Sequence, residues 1–199
     1  MAYSFACFIS YKRPPERNDG PDTKPPIRLQ FSRAFQKLLD QFLDTNVISF
    51  RDEDLPPGAR YPAALSQNLC RSMCMVALVV PEYFESSWCM AEWNAMATFE
   101  KKRLGPNKHG LIFPVTCGGN PATLRPLYSP YQDAGDFRDI VAPVKQLDSV
   151  RSRKKIKLIA DQINYLAKSL PPPECDNFSL NLGPEEINPR IKEPATFGS

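Results

Sequence analysis

The sequence predicts an α/β fold in which helices cover both faces of a parallel sheet of five strands. Proline removes a backbone donor and blocks helix interiors, and it is absent from four long windows, residues 27–55, 63–80, 82–105 and 144–170. Within these windows some apolar residues recur at helical spacing, whereas Met73–Val80 is continuously apolar, as a fully buried strand is. Strands and helices therefore alternate along the chain, which is typical of a parallel sheet with crossover helices.

The first half of the chain holds four predicted elements. They are a strand over residues 5–10, a helix over Leu29–Leu43, a strand over 47–50 and a helix over 61–72. The first helix is predicted because apolar side chains recur at steps of three and four, so they share one face. That face consists of Phe31, Phe35, Leu38, Leu39, Phe42 and Leu43.

The second half begins with Met73–Val80 as the third strand. A helix over 84–103 and a strand over 111–116 follow, although Pro114 weakens that strand because proline cannot donate a hydrogen bond to a neighbouring strand. Gln132–Phe137 is a fifth strand with a weaker pattern. One helix is predicted in the last window. Its apolar positions are Val144, Leu147, Val150, Ile156, Ile159, Ile163 and Leu166.

The right-handed crossover rule restricts such a chain to doubly wound, flavodoxin-like strand orders such as 2-1-3-4-5. In that order a ligand crevice opens above the carboxyl ends of the first and third strands. Residues 1–170 are predicted to form one domain. Residues 171–199 carry six prolines and are predicted to be a tail or linker, either toward a sensor module or packed on a partner.

Composition excludes several classes of protein. The 25 basic and 22 acidic residues give a net charge of +3, which does not indicate a nucleic-acid partner. The longest apolar run is Met73–Val80, whereas a membrane helix needs about 20 residues, so no membrane partner is expected. The first residues lack the basic and long apolar regions of a signal peptide. The sequence therefore predicts a cytoplasmic protein.

The cysteine and histidine residues limit which metal sites and catalytic mechanisms the protein can have. The six cysteines, Cys7, Cys70, Cys74, Cys89, Cys117 and Cys175, contain no Cys-x-x-Cys pair. We therefore expect buried thiols rather than a disulfide framework or a zinc site. His109 is the single histidine, so no metal site is expected and any catalysis would depend on carboxylates.

Three motifs follow the first three predicted strands. They are Phe8-Ile9-Ser10-Tyr11-Lys12-Arg13, then Arg51-Asp52-Glu53-Asp54-Leu55-Pro56-Pro57-Gly58, and then Trp88-Cys89-Met90-Ala91-Glu92. In this order and spacing the sequence resembles Toll/interleukin-1 receptor (TIR) domains over residues 3–170. Their first box is similar to Phe8–Arg13, their flexible loop to Arg51–Gly58, and the Trp-Cys-x-x-Glu motif of their enzymatic branch to Trp88–Glu92.

The resemblance implies the TIR fold and cleavage of NAD⁺, as substrate rather than cofactor, to nicotinamide and ADP-ribose, with Glu92 as the essential carboxylate. Ordinary glycosidases use two carboxyl groups, one of which protonates the leaving oxygen. Nicotinamide departs from NAD⁺ as a neutral base, so one carboxylate is sufficient. Trp88 and Glu92 are four residues apart and share a helix face, which Ala95, Met96 and Phe99 continue. A core tryptophan with a polar helix edge is the alternative.

The resemblance also implies substrate-binding residues. Ser10 and Tyr11 lie in the first box, where Tyr11 would stack on a nucleotide ring while Lys12 and Arg13 meet the pyrophosphate. An ordinary strand end with solvated charges remains the alternative. Arg51 and Tyr61, on either side of the Pro-Pro-Gly turn, would contact substrate or a neighbouring subunit, and Trp88 completes this set.

The loop after the second strand is the implied assembly contact. It includes Asp52, Asp54, Pro56, Pro57 and Gly58. In the family this loop packs on an adjacent TIR domain and completes a composite active site, although Pro-Pro-Gly alone would also shape an ordinary turn.

Two functions stay open on the sequence. The first is an NAD⁺ glycohydrolase activated by TIR self-assembly, in cell-suicide immunity such as antiphage defence. The second is a non-catalytic scaffold that recruits other TIR domains. The Phe-Trp third box of receptor-type members is not evident near Asp136-Phe137, which favours a bacterial-type effector. The proline-rich segment 14–26 is a lid, an assembly contact or a simple insertion.

Overall fold

A sheet of parallel strands forms the centre of the protein. The computed structural model describes residues 2–13, 25–44, 46–55, 61–106, 108–140, 143–175, 178 and 180. In these parts of the chain the strands are β1 (Phe5–Tyr11), β2 (Ser72–Val79), β3 (Ile112–Thr116) and β4 (Gly135–Asp136), which lie side by side in that order. Every residue of β2 is buried, as the continuous apolar run predicts for a strand in the middle of the sheet.

The predicted second strand, residues 47–50, lies where the doubly wound order requires but is too short to count as a strand. Phe50 forms an isolated parallel bridge to Phe8 on the edge of β1 that faces away from β2. Two hydrogen bonds of 2.8 Å hold it there, from the amide of Ile9 to the Phe50 carbonyl and from the Phe50 amide to the Cys7 carbonyl. The chain then turns into a short 3₁₀ helix, Asp52–Asp54. The described sheet therefore has four strands rather than five.

Pro114 is accommodated within β3 because of its position on the edge toward β4. The N–H and C=O groups of one strand residue point to the same side, and the Pro114 carbonyl accepts the amide of Ala134 at 2.7 Å on the β4 side. The pairing with β4 starts only at Val115 and Gly135. The donor that proline lacks is therefore not needed by a paired strand.

Helices flank the sheet in two groups, as the sequence predicts. They are α1 (Ile27–Asp40), α2 (Tyr61–Cys70), α3 (Ser87–Leu104), α4 (Pro121–Tyr128), α5 (Pro143–Gln146) and α6 (Val150–Leu166). Helix α1 packs on α5 and α6, whereas α2 packs on α3. The sequence does not predict α4, because Pro121 and Pro126 lie inside it. It starts where the Asn120 side chain accepts the amide of Ala122 at 3.0 Å. None of the described helices has the length and hydrophobicity needed to cross a bilayer.

The prediction of one continuous helix from Val144 onward is wrong. The chain leaves the helical path after Gln146, and the Ser149 side chain accepts the amide of Ser152 at 3.3 Å to begin α6. A serine at this position satisfies one of the free amides of the first turn, which makes it a strong start signal. The apolar residues of the two helices have similar spacing, so the sequence pattern does not reveal the break between them.

The expectation of free thiols is wrong for one pair of cysteines. Cys70, at the end of α2, is disulfide-bonded to Cys175, with Cα atoms 5.8 Å apart. Cys7, Cys74 and Cys89 are buried free thiols, as predicted. The two bonded residues are 105 positions apart in sequence, and only the fold brings them together.

The segment that follows residue 170 contacts the domain. The amide of Leu180 donates to Ser66 Oγ of α2 at 2.9 Å, and the rings of Phe178 and Phe99 lie 4.5 Å apart between centroids. Leu180 is buried. The packed part of the chain therefore continues past the predicted boundary at Leu170.

Candidate active site

A cleft of about 170 Å³ opens at the carboxyl end of β1. Three elements build it, namely the end of β1, the 3₁₀ helix Asp52–Asp54 and the first turns of α3. It is lined by Tyr11, Lys12, Arg13, Asp52, Ser86, Trp88, Cys89 and Glu92. The first and third motifs of the sequence, and Asp52 of the second, thus meet at one place.

The start of α3 determines how Trp88 and Glu92 face the cleft. Ser86 caps the helix by accepting the amide of Cys89 at 3.5 Å, so the helical spacing is established before Trp88 and Glu92. Both side chains line the cleft. Further along the same face, Ala95, Met96 and Phe99 are buried in the core. This arrangement confirms the predicted shared face of the helix.

Glu92 is a buried carboxyl group at the floor of the cleft, with 7% of its surface exposed. Ser10 Oγ donates a hydrogen bond to Glu92 Oε2 at 2.6 Å. The same Ser10 oxygen lies 2.7 Å from the hydroxyl of Tyr83. Because Ser10 has one hydroxyl hydrogen, which Glu92 accepts, the Tyr83 hydroxyl donates to Ser10. A chain of hydrogen bonds therefore fixes the carboxylate from behind.

Tyr83 belongs to this series of hydrogen bonds but is not among the functional residues predicted from the sequence. It lies in a 3₁₀ helix, Pro81–Tyr83, directly after β2, and its ring packs edge-on against Trp93 at 6.2 Å between centroids. Its position after the strand at the predicted crevice was the available signal. The residues around Tyr83 show neither a helical nor a strand pattern. The sequence therefore does not indicate where the Tyr83 hydroxyl points.

Burial controls the protonation of Glu92. Removal from water raises the pKa of the carboxyl group to about 8, against opposing effects of the Ser10 hydrogen bond and the positive charge of Arg13. Asp52 nearby raises the pKa further. A cation entering the cleft would favour the carboxylate and lower this pKa. The site therefore suits a positively charged ligand group.

Cys89 is not a nucleophile in this environment. Burial and the neighbouring Glu92 raise the pKa of its thiol to about 12, so the thiolate is scarce at neutral pH. Among the residues that the structure describes, no group of three or more His, Cys, Asp or Glu side chains is arranged to hold a metal ion.

Asp52 holds two residues of the first motif in place. The Tyr11 hydroxyl donates to Asp52 Oδ1 at 3.1 Å, and the Arg13 guanidinium forms an ion pair with Asp52 Oδ2. The resemblance to TIR domains places Asp52 in the assembly loop. The structure places its carboxylate in the wall of the cleft.

Arg51 is not brought to the cleft. Its guanidinium points toward α1, where Nη1 lies 3.0 Å from Glu53 Oε2 and 3.4 Å from Ser32 Oγ. Gln36 accepts from Arg51 Nε, and Asp54 accepts the Arg51 amide at 2.7 Å. These contacts leave 9% of the Arg51 side chain exposed and attach the loop after residue 50 to α1.

The remaining predicted residues lie partly outside the described structure. Tyr61 is the first residue of α2, and its side chain lies outside the described part of the structure. Pro56, Pro57 and Gly58 fall outside the described residues, as do residues 14–24 of the proline-rich segment. Their proposed contacts with substrate or with a second TIR domain remain predictions.

A family model agrees with the motifs, and one solved structure is similar to this chain. The TIR domains in a structure of the activated Roq1 resistosome directly recognizing the pathogen effector XopQ are similar to this chain. The identity is 18%, the TM-score is 0.42, and the alignment covers 81% of this chain and 82% of that one. No curated protein matches. A family model described as TIR domain matches residues 30–147, more than half of the chain, including Glu92. On this match, the chain belongs to the TIR domain family.

Proposed function

We propose that this TIR domain hydrolyses the bond between nicotinamide and ribose in NAD⁺, with Glu92 as the catalytic carboxylate. The observation that supports the proposal most directly is the position of Glu92. It is a buried carboxyl group, hydrogen-bonded to Ser10 at 2.6 Å, in a cleft that also presents Trp88 and the basic side chains of Lys12 and Arg13.

The reaction requires stabilisation of positive charge on the ribose. The bond between the anomeric carbon and the pyridinium nitrogen breaks, its electron pair goes to nitrogen, and neutral nicotinamide leaves. Water then adds to the oxocarbenium-like carbon and loses a proton, which gives ADP-ribose. The Glu92 carboxylate, accepting hydrogen bonds from the ribose hydroxyls, would stabilise the developing cation through its charge.

A general acid is not needed for this chemistry, because the leaving group carries no negative charge. This feature distinguishes the site from that of ordinary glycosidases, which use two carboxyl groups. The second carboxylate of the cleft, Asp52, is occupied by the Arg13 guanidinium and the Tyr11 hydroxyl. These contacts support a positioning role for Asp52 toward these two side chains.

Other residues of the cleft provide the binding groups. The indole of Trp88 offers an aromatic surface for the cationic pyridinium, an attraction worth about 0.5–2 kcal/mol. Lys12 and Arg13 supply positive charge for the pyrophosphate, and arginine suits this role because its planar guanidinium matches phosphate geometry.

The proposal includes activation by self-association through the loop that contains Asp52 and Asp54, in a cytoplasmic effector of cell-suicide or antiphage immunity. Asp54 accepts from Gln36 Nε2 at 3.0 Å and from the Arg51 amide. The start of the loop is therefore anchored to α1, and its continuation at Pro56–Gly58 is the proposed contact with a second TIR domain. A protein that assembles without cleaving NAD⁺ would be a scaffold.

Nicotinamide release from NAD⁺ tests the proposal. The native protein, Glu92→Gln and Glu85→Gln are compared over a range of protein concentrations, because assembly makes activity per molecule rise with concentration. Glu85 is exposed just before α3 and serves as the matched control. We expect Glu92→Gln to lose at least about 10²-fold in rate, with Glu85→Gln unchanged. Equal rates in all three proteins would remove Glu92 from the mechanism, and absence of turnover from assembled native protein would favour the scaffold.

A further inference from the structure

A second, larger cavity of about 320 Å³ lies beside the Glu92 cleft. Its volume is at the lower end of the range of about 300–1,000 Å³ typical of small-molecule sites. Six apolar residues of its lining come from α1, from the end of β2 and from the segments around α5. These residues are Ile27, Phe31, Leu78, Val80, Ile140 and Pro143.

The cavity is located at the topological switch point of the sheet. From β1 the chain passes to residues 48–50 on one side, and then crosses to β2 on the other side. In doubly wound sheets the crevice outside the carboxyl ends of these two strands is where ligands bind. Leu78 and Val80, at the end of β2, and Gly118, after β3, line this cavity.

The two cavities share a wall. Tyr11 and Lys12 line both of them, so the ridge between the cavities carries an ammonium group. Within the described residues Lys12 forms no salt bridge, whereas its neighbour Arg13 is paired with Asp52. Because it lines both cavities, Lys12 is the basic group best placed for an anion that passes between them.

We propose that this cavity binds the adenosine half of the dinucleotide, with the pyrophosphate passing over Lys12 and the nicotinamide ribose at Glu92. The inference rests on the proposed function, since it takes NAD⁺ as the ligand. The chemistry of the two halves matches the two cavities. A neutral aromatic base gains from burial against Phe31, Leu78 and Val80, whereas the cationic pyridinium gains from a buried carboxylate.

The rim of the cavity has features that a bound base would use. Ile27 has 49% of its surface exposed although it lines the cavity, so a ligand would cover apolar surface that now faces water. Arg28 donates to Glu82 at 2.9 Å, which joins the first turn of α1 to the 3₁₀ helix after β2. This ion pair fixes two sides of the opening relative to each other.

Binding of AMP, measured by calorimetry, tests the inference without any catalytic step. In Ile27→Glu a charged carboxylate replaces the apolar surface that the base would cover, while an acidic residue in the first turn of α1 is favourable to the helix. We expect AMP binding at least tenfold weaker than in the native protein. Ile48→Glu is the matched control, because Ile48 is also exposed but lies beside the start of β1, where its carbonyl accepts the Ala6 amide. This control should bind AMP within twofold of the native protein.

Two more variants locate the base and its phosphate. Lys12→Gln should weaken AMP several-fold by removing the ammonium group, whereas Trp88→Ala should leave AMP binding unchanged. Circular dichroism melts establish that each variant is folded. Loss of AMP binding in Trp88→Ala, together with unchanged binding in Ile27→Glu, would place the base in the Glu92 cleft and overturn the inference.

The inference and the proposed function fail in different ways. If AMP does not bind at millimolar concentration but nicotinamide is released in a Glu92-dependent manner, the adenosine site is wrong and the activity stands. If AMP binding depends on Ile27 and Lys12 but nicotinamide is never released, the cavity is a nucleotide site and the proposed hydrolysis is wrong.

Discussion

The hydroxyl of Ser10 lies 2.6 Å from Glu92 Oε2, so a residue at the end of β1 directly contacts the buried carboxyl group of α3. Two opposing effects meet at this contact. Burial disfavours the charged carboxylate, whereas the hydrogen bond from Ser10 favours it. The balance sets the fraction of Glu92 that is ionised, and this fraction governs both the activity and the stability that we expect.

Activity should rise with pH through the pKa of Glu92. The pKa of this carboxyl group in the free protein is about 8, and the carboxylate is the form that stabilises the cationic ribose. The kcat/KM for NAD⁺ reports ionisation of the free protein, so we expect it to rise about tenfold per pH unit below pH 8 and to level off above. Measurements of nicotinamide release at a series of pH values will show this limb. A rate that falls over the same range would contradict the role of the carboxylate.

Ser10→Ala provides the control for this pH profile. Removing the hydroxyl deletes the hydrogen bond that lowers the Glu92 pKa, so the rising limb should move to higher pH. If the substitution only weakened packing, the rate would fall but the rising part of the pH profile would stay at the same pH.

Glu92→Gln should stabilise the protein at alkaline pH while it abolishes activity. The pKa of Glu92 is raised from 4.5 to about 8 on folding, so the folded state holds more protons than the unfolded state between these values. Stability from the neutral carboxyl group is therefore complete below about pH 4.5 and is lost as the pH rises through 8. Glutamine stays neutral and avoids this loss.

The melting temperature measures the effect. A stabilisation of about 1 kcal/mol raises Tm by about 2–4 °C in a chain of this length, and we expect at least this increase for Glu92→Gln at about pH 9. The difference from the native protein should shrink toward acidic pH. A difference independent of pH would mean that the ionisation of Glu92 does not cause it.

The disulfide between Cys70 and Cys175 should contribute measurably to stability. It closes a long loop, since the two residues are separated by 105 positions, and removal of a native disulfide costs about 2–5 kcal/mol. We expect Cys175→Ser to lower Tm, and the native protein with reductant to melt like this variant. Reductant should have no further effect on Cys175→Ser. If the native protein melts equally with and without reductant, the bond does not stabilise the fold.

The location of the site could be predicted from the sequence because it depends on local patterns. The alternation of strands and helices places Ser10 and Trp88 at one edge of the sheet, and the four-residue spacing places Glu92 beside Trp88. Each of these statements needs only a short window of sequence and a general rule of topology.

The contacts that tune the site could not be predicted in the same way. Ser10 and Tyr83 meet across 73 positions, and the hydroxyl of Tyr83 reaches Ser10 because a 3₁₀ helix turns the chain after β2. Asp52 reaches the first motif because residues 48–50 pair with β1 before the chain turns. Both contacts depend on how one turn is oriented relative to another. The periodicity of apolar residues in the sequence does not predict that orientation.

Arg13 and Arg51 should separate substrate binding from stability. Arg13 lines the cleft and pairs with Asp52, so Arg13→Ala should raise KM for NAD⁺. Arg51 is buried against Ser32, Gln36, Glu53 and Asp54, so Arg51→Ala should leave KM unchanged. Loss of hydrogen bonds by buried charged groups costs about 1–3 kcal/mol, and the Tm of Arg51→Ala should fall accordingly.

Steady-state kinetics and thermal melts of the two variants, at protein concentrations giving equal assembly, provide the comparison. Arg51→Lys refines it, because lysine keeps the charge but cannot bond Glu53, Ser32 and Gln36 at once, as the planar guanidinium does. A Tm loss in Arg51→Lys close to that in Arg51→Ala would assign the effect to this geometry. A raised KM with an unchanged Tm in Arg51→Ala would contradict this assignment and place Arg51 among the residues that determine the affinity for NAD⁺.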